Sequence, residues 1–174
     1  MSHTRRATIL LTLSLLLSST GCSSARHQEA GRTYDEKNSF SIILPDGWTN
    51  RGELMGAFMF AAGPTENGFA VNFNVNVQKD AATAQEVLPK LKEVLPKITN
   101  DYRPMSEGFI EIDGKKAYFL SGTFQMGPQR LQNLQYGVPS GNGRFYTLTF
   151  TAPQDTFEKH RASFEKMAQS ARID

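Results

Sequence analysis

The sequence predicts an α+β domain in which an antiparallel sheet of about six to seven strands is flanked by two helices. Residues 69–78 alternate apolar and polar side chains, which is typical of a strand with one buried face. Asn67-Gly68 and Asp113-Gly114 separate short apolar segments in the way that hairpin turns separate antiparallel strands. Two further segments repeat apolar residues at helical spacing.

The first part of the chain predicts export. Arg5 and Arg6 precede an uncharged, largely apolar run over residues 7–17. This run is too short to cross a hydrocarbon core of ~30 Å as a helix, and it has the length of the apolar part of a secretory signal. We therefore predict a signal peptide over residues 1–21, which ends just before Cys22, the only cysteine.

The segment that ends at Cys22 resembles the lipobox of bacterial lipoproteins, in which cleavage precedes a cysteine that is then acylated. Gly21 and Cys22 match this pattern, whereas Ser19 stands where leucine is usual. The resemblance implies several acyl chains, palmitate among them, and two or more chains anchor a protein stably to a membrane. The alternative is ordinary secretion, but a lone cysteine is unusual in a secreted protein. We predict lipidation at Cys22.

Residues 22–31 are predicted to form a flexible tether between the anchor and a single domain over residues 32–174. Ser23 directly follows the cysteine and resembles the outer-membrane sorting signal of Gram-negative lipoproteins. The sequence therefore predicts a lipid-anchored protein of the bacterial cell envelope that faces the periplasm. The outer membrane is favoured over the inner membrane in a Gram-negative cell.

Charge argues against a nucleic-acid partner. Removing Arg5 and Arg6 with the signal peptide from the 19 basic residues leaves 17, which balance the 17 acidic residues. A neutral domain without a basic stripe lacks the electrostatic footprint of a nucleic-acid binder.

Motifs for catalysis and for metal or cofactor binding are missing from the sequence. His160 is the only histidine of the predicted domain, and its charged neighbours on the last helix predict that it is exposed. One histidine without cysteine partners provides no metal-ligand spacing. Glu107, Glu111 and Asp113 are interpreted as solvated edge and turn residues. We therefore predict a non-enzyme without a cofactor. A hydrolase that uses paired carboxylates remains an alternative, because such pairs form only in three dimensions.

The domain opens with an apolar strand, residues 39–44, which ends at a Pro-Asp-Gly turn before Trp48, the only tryptophan. We predict that Trp48 covers the core, and the alternative is that it stacks on a ligand. The apolar run from Leu54 to Ala62 predicts a buried strand. A four-strand meander is predicted with its strands at residues 109–112, 117–126, 131–138 and 144–150.

Two helices are predicted. The first opens with a capping box, Thr83 to Glu86, and contains Pro89 and Pro96. A proline inside a helix costs ~3 kcal/mol, so we expect this helix to be short and weak. The second is capped by residues 155–158, and its apolar stripe is predicted to pack into the core: Phe157, Phe164, Met167, Ala168 and Ala171.

One face of the predicted sheet is rich in amides and hydroxyls. Asn72, Asn74 and Asn76 share one face of their strand, and Thr147, Thr149 and Thr151 share one face of the last strand. Asparagine is disfavoured in strands, so the three amides indicate a partner- or glycan-binding surface. The alternatives are an ordinary solvated face and a face that a helix covers.

The opening of the domain resembles that of the Mog/PsbP-like superfamily, in particular its DcrB-like bacterial lipoproteins. The resemblance rests on Tyr34, residues 40–42 and residues 44–48, followed by a similar order of elements. It implies an antiparallel sheet flanked by helices, no catalytic residues, and action as a binding module. We therefore expect a non-catalytic, membrane-anchored accessory module with an envelope protein as partner. The alternatives are a small-ligand or glycan receptor on the polar sheet face and the carboxylate-based hydrolase.

Overall fold

The computed structural model describes residues 29, 31–80 and 82–173. The predicted signal peptide, Cys22 and most of the predicted tether lie outside these residues. Ten strands and two helices follow in the described part of the chain: β1 Arg32–Asp35, β2 Phe40–Ile43, β3 Thr49–Leu54, β4 Ala57–Glu66, β5 Phe69–Lys79, α1 Ala84–Ile98, β6 Arg103–Ile112, β7 Lys115–Met126, β8 Gln129–Pro139, β9 Arg144–Pro153, α2 Phe157–Ser170 and β10 Arg172–Ile173.

Seven of these strands form one antiparallel sheet in the order β3-β4-β5-β9-β8-β7-β6. The predicted meander is confirmed as β6 to β9, each strand paired with the next. The turn between β4 and β5 has Asn67 at φ 51° and Gly68 at φ 77°, the positive values that the predicted Asn-Gly hairpin turn requires. The predicted α+β fold class is confirmed.

A second, three-stranded sheet has the order β1-β2-β10. Its central strand is the apolar opening strand, and β1 pairs with it from Arg32 opposite Ile43 to Asp35 opposite Phe40. Gly31, which was predicted to lie in the tether, accepts a hydrogen bond from the Leu44 amide (3.0 Å).

The turn between β6 and β7 holds β10 through the backbone N–H and C=O of one residue, Ile173. Asp113 Oδ2 accepts a hydrogen bond from the Ile173 amide (2.9 Å), and Lys115 Nζ donates one to the Ile173 carbonyl (2.8 Å). Lys115 also forms an ion pair with Asp113 (2.9 Å). These bonds join the small sheet to the large one.

The main core lies between one face of the large sheet, the small sheet and α2. The apolar side chains of β5 (Val71, Phe73 and Val75) and all five residues of the predicted α2 stripe are buried there. Phe150 stacks on Phe73 with ring centroids 4.8 Å apart. Trp48 is half-buried and packs against this core, as predicted, with its ring edge-on to Phe164.

The opposite face of the sheet is partly covered by α1. Ala84 and Leu88 of α1 are buried in a second cluster with Tyr118, Leu120 and Phe145 of the sheet. We refer to this side of the sheet as the amide face, because it carries the asparagines and threonines of β5 and β9. The two helices therefore lie on opposite faces of the large sheet.

The prediction that the first helix is short was wrong. It runs for 15 residues from Ala84 to Ile98 and contains both prolines. Thr83 and Glu86 make both bonds of the predicted capping box. The cap and the packing of Leu88 against the sheet supply the stabilisation that the prolines remove.

Three further expectations need correction. The run from Leu54 to Ala62 is not one strand, because Met55, with φ 53°, turns the chain between β3 and β4. Residues 155–158 were expected to cap α2, but the side chain of the N-cap residue, Thr156, makes no capping hydrogen bond. His160 is not exposed, since its ring stacks on Phe164 with centroids 5.9 Å apart and its side chain is only 14% exposed.

Candidate binding groove

The asparagines of β5 and the threonines of β9 form a row of direct cross-strand pairs. Asn72 lies opposite Thr151, Asn74 opposite Thr149 and Asn76 opposite Thr147. Because residues opposite each other in an antiparallel pair project to the same face, all six side chains lie on the amide face. The structure thus brings together the five residues for which a binding role was predicted: Asn72, Asn74, Asn76, Thr147 and Thr149.

The asparagine side chains bond mainly along their own strand. Asn72 Nδ2 donates to the Ala70 carbonyl (3.0 Å), and Asn76 Nδ2 donates to Asn74 Oδ1 (3.3 Å). Within the described residues, these amides make no hydrogen bond to another element. Asn72 and Asn74 are half-buried and Asn76 is exposed. The amide oxygens and nitrogens of this row therefore retain hydrogen-bonding capacity for a ligand.

An open groove of about 390 Å³ runs over this row. The three asparagines contribute to its lining, together with Thr151 of β9. The rest of the lining is apolar and comes from both sides of the row: Leu54, Met55, Ala57, Phe60, Phe69, Phe124, Met126 and Leu131. We call this cavity the amide groove. None of its lining residues is ionisable.

The amide groove lies on the part of the amide face that α1 leaves uncovered. The helix packs on Tyr118, Leu120 and Phe145 of the sheet, and none of these residues lines the groove. Tyr118 is fully buried under the helix, and this burial raises the pKa of its phenol above the ordinary value. The alternative that a helix covers the whole polar face is therefore wrong for the asparagine row.

Sequence reasoning missed the apolar walls of the groove. Met55 is 93% exposed and stands at the β3–β4 turn, inside a run that was predicted to be one buried strand. Phe124 and Leu131 form a cross-strand pair next to the β7–β8 turn. The alternation of the two meander strands places this pair on the amide face, and that signal was available in the sequence.

Two of the three acidic candidates, Glu107 and Asp113, take part in structural ion pairs. Glu107 of the edge strand β6 pairs with Lys92 of α1 (2.6 Å), and Asp113 pairs with Lys115. In the residues that the structure describes, His, Cys, Asp and Glu side chains form no group of three that could hold a metal ion.

His160 lies in the α2 layer, on the side of the sheet opposite the amide groove. Its Nε2 atom is buried and lies 3.5 Å from Glu66 Oε1. The ring stacks on Phe164, a residue of the main core. These contacts place the histidine in the packing of α2.

The profile of the PsbP family matches residues 29–173, a range that spans the whole described part of the chain. The chain belongs to the PsbP family. This match and the structural neighbours confirm the resemblance to the Mog/PsbP-like superfamily. No curated protein has a sequence that matches this one significantly.

Three solved structures illustrate how widely this PsbP-family fold is shared. Cyanobacterial PsbP (CyanoP) from Synechocystis sp. PCC 6803 is 18% identical with a TM-score of 0.61, and 82% of this chain and 91% of that chain are covered. LpqN of Mycobacterium tuberculosis, involved in cell envelope biogenesis, is 16% identical with a TM-score of 0.64, covering 84% and 87%. The Saccharomyces cerevisiae Ran-binding protein Mog1p is 7% identical with a TM-score of 0.57, covering 82% and 94%.

Proposed function

We propose that this PsbP-family protein is a non-catalytic accessory module of the bacterial cell envelope. It is a lipoprotein of the DcrB-like type, held to a membrane by acyl chains on Cys22 and facing the periplasm. Ser23 favours the outer membrane in a Gram-negative cell. The similarity to LpqN, a protein involved in cell envelope biogenesis, supports the envelope location.

The module acts by binding an envelope protein in the amide groove. The open groove on the amide face is the observation that carries this proposal, because it joins neutral hydrogen-bonding groups to exposed apolar side chains. Met55 and Met126 belong to its lining, and unbranched methionine side chains suit a surface that adapts to a partner. The large exposed fraction of Met55 has no structural explanation within the domain.

A small-ligand or glycan receptor is the second candidate. The arrangement that favours it is the asparagine row beside the rings of Phe60 and Phe124, since hydroxyl groups of a sugar bond to amides while its apolar faces contact aromatic rings. A carboxylate-based hydrolase has weaker support, because Glu107 and Asp113 are already paired with lysines outside the groove.

Site-specific photo-crosslinking in native membranes tests the proposal. A photoreactive residue at position 55 reports on the groove, and one at the exposed Glu165 position on α2 serves as the matched control on the opposite face. We expect a protein to be captured from position 55 only. Replacing Asn72, Asn74 and Asn76 together by Thr should abolish this capture, because threonine keeps the strand but removes the amides.

Equal capture from both positions, or capture that survives in a folded triple variant, would contradict a partner site in the groove. If no protein is captured from position 55 and the protein binds a neutral oligosaccharide such as maltohexaose, the function as a glycan receptor is favoured instead.

A further inference from the structure

We propose that the amide groove binds the main chain of an extended, uncharged segment of the partner protein. The inference rests on the proposed function, because it names the kind of partner structure that the groove accepts. Three features of the groove carry it: the spacing of the amides, the apolar residues at its two ends, and the lack of charge in its lining.

The first feature is spacing. Asn72, Asn74 and Asn76 occupy alternate positions of one strand, so their side chains are ~6.8 Å apart in a line parallel to β5. In a second extended chain, every second peptide group recurs at the same interval. Each side-chain amide offers one acceptor and two donors, which match the N–H and C=O of a peptide group. The row can therefore bond alternate peptide groups of an extended segment laid over the sheet.

The second feature is the pair of apolar ends. Ala57 lies two residues beyond the Met59–Val75 pair, so the β3–β4 turn with Leu54 and Met55 adjoins the Asn76 end of the row. At the other end, beyond Asn72, the lining is formed by Phe124, Met126 and Leu131.

The register fixes how far apart these ends are. Leu131 pairs with Pro153, two residues beyond the pair of Thr151 with Asn72. Along the strands, the ends are thus about seven residues, or ~24 Å, apart. Across the sheet, β4 and β8 are three strand spacings, or ~14 Å, apart, so the segment crosses the row obliquely and carries apolar side chains about eight residues apart.

The third feature is charge. Since no lining residue is ionisable, a charged side chain buried over the asparagines would lose its hydration without gaining a counter-charge. The middle of the segment is therefore uncharged. A helical partner fits less well, because the peptide groups of a helix are hydrogen-bonded to one another. The asparagine amides of the groove could then form hydrogen bonds only with side chains of the helix.

Selection from a phage-display library of random nine-residue peptides tests this inference. The library is selected against the full chain reconstituted in phosphatidylcholine vesicles, and empty vesicles are the negative control. Asn74→Thr removes the central amide, and Gln78→Thr is the matched control on the same strand and face, outside the groove lining. Circular dichroism and the thermal midpoint establish that both variants are folded.

We expect enriched peptides with an uncharged middle and apolar residues near both ends. Their affinity should fall at least tenfold on Asn74→Thr and stay within twofold on Gln78→Thr. A synthetic copy that is N-methylated at alternate residues keeps every side chain but loses peptide N–H donors, and it should also bind at least tenfold more weakly.

Three results would overturn the inference: no enriched peptide, peptides with charged middles, or equal binding of the N-methylated copy. If the inference fails while position 55 still captures a partner through the asparagines, the proposed function stands and the partner is bound in another conformation. If peptides bind as expected while no envelope protein is captured, the groove chemistry stands and the proposed function fails.

Discussion

The indole ring of Trp48 lies directly over Gly63, where a Cβ atom would approach the ring to 2.6 Å. Gly63 stands in the part of β4 where the register with β5 shifts, between Ala62 and Thr65. The φ of Gly63 is not positive, so the ring alone excludes a side chain at this position. The indole also meets Phe164 edge-on, with centroids 6.3 Å apart.

Gly63→Ala should therefore cost about 1–3 kcal/mol of unfolding free energy in the natural protein, because the new methyl group displaces the ring. In the Trp48→Ala background the same change should cost less than ~0.5 kcal/mol, because the obstacle is gone. Trp48→Ala alone should cost about 2–4 kcal/mol, since the side chain is half-buried. Urea unfolding of the natural protein, the two single variants and the double variant measures this cycle. If the free-energy costs of the two single substitutions simply add in the double variant, the packing of the indole ring does not depend on Gly63.

The hydrogen bond from the Ile173 amide in β10 to Asp113 predicts that the stability of the fold depends on pH. Burial tends to raise the pKa of the Asp113 carboxyl, but the hydrogen bonds from Ile173 and Lys115 outweigh it and hold this pKa below the ordinary value. A lowered pKa means that the carboxylate stabilises the fold above its unfolded pKa of ~3.9 and that this contribution is lost as the pH falls through the folded pKa.

Asp113→Asn should thus lower the urea midpoint at pH 7, and its difference from the natural protein should shrink below about pH 4. Asparagine accepts positive φ as aspartate does, so the turn, at φ 51°, is preserved. Midpoints measured between pH 7 and pH 2.5 give the comparison. A difference that stays constant over this range would show that the charge of Asp113 has no part in holding β10.

Helix α1 should depend on its cap more than an ordinary helix does, because Pro89 and Pro96 lie inside it. Thr83→Ala removes the acceptor for the Glu86 amide (3.3 Å) and should cost about 1 kcal/mol. Thr83→Ser keeps the hydroxyl and should be nearly neutral. Hydrogen exchange of the α1 amides and urea unfolding measure the two variants; equal protection in both would contradict the role of the cap.

Replacing Cys22 by Ser should move the protein from the membrane fraction to the soluble fraction, with at least a tenfold fall in the pelleted share. Ser24→Ala changes a nearby residue and should leave the distribution unchanged. Fractionation after a salt wash, followed by immunoblotting, gives the result. A Cys22→Ser protein that remains in the washed membranes would contradict anchoring by acyl chains alone.

Local chemistry explains which elements could be predicted from the sequence. The Asn-Gly turn, the capping box of Thr83 and the alternation of β5 are each specified by neighbouring residues, and the structure contains all three. The common face of the asparagines and threonines also follows from alternation alone, although their direct pairing needed the register.

The elements that were missed depend on distant partners. β10 has two residues and is held by Asp113 and Lys115, about sixty positions earlier in the chain. The length of α1 depends on packing against Tyr118, which outweighs the local cost of the prolines. The walls of the amide groove come from turns of separate hairpins, so no single stretch of sequence contains the site.

The small sheet decides how the domain responds to a pull on its N-terminal side. The Gly31 carbonyl accepts a hydrogen bond from the Leu44 amide, and β1 runs antiparallel to β2 from that point. The chain therefore enters and leaves this hairpin at the same end. A force between them loads the hydrogen bonds one after another instead of all together. The β1–β2 pairing therefore opens sequentially under low tension, before the seven-stranded sheet and the amide groove yield.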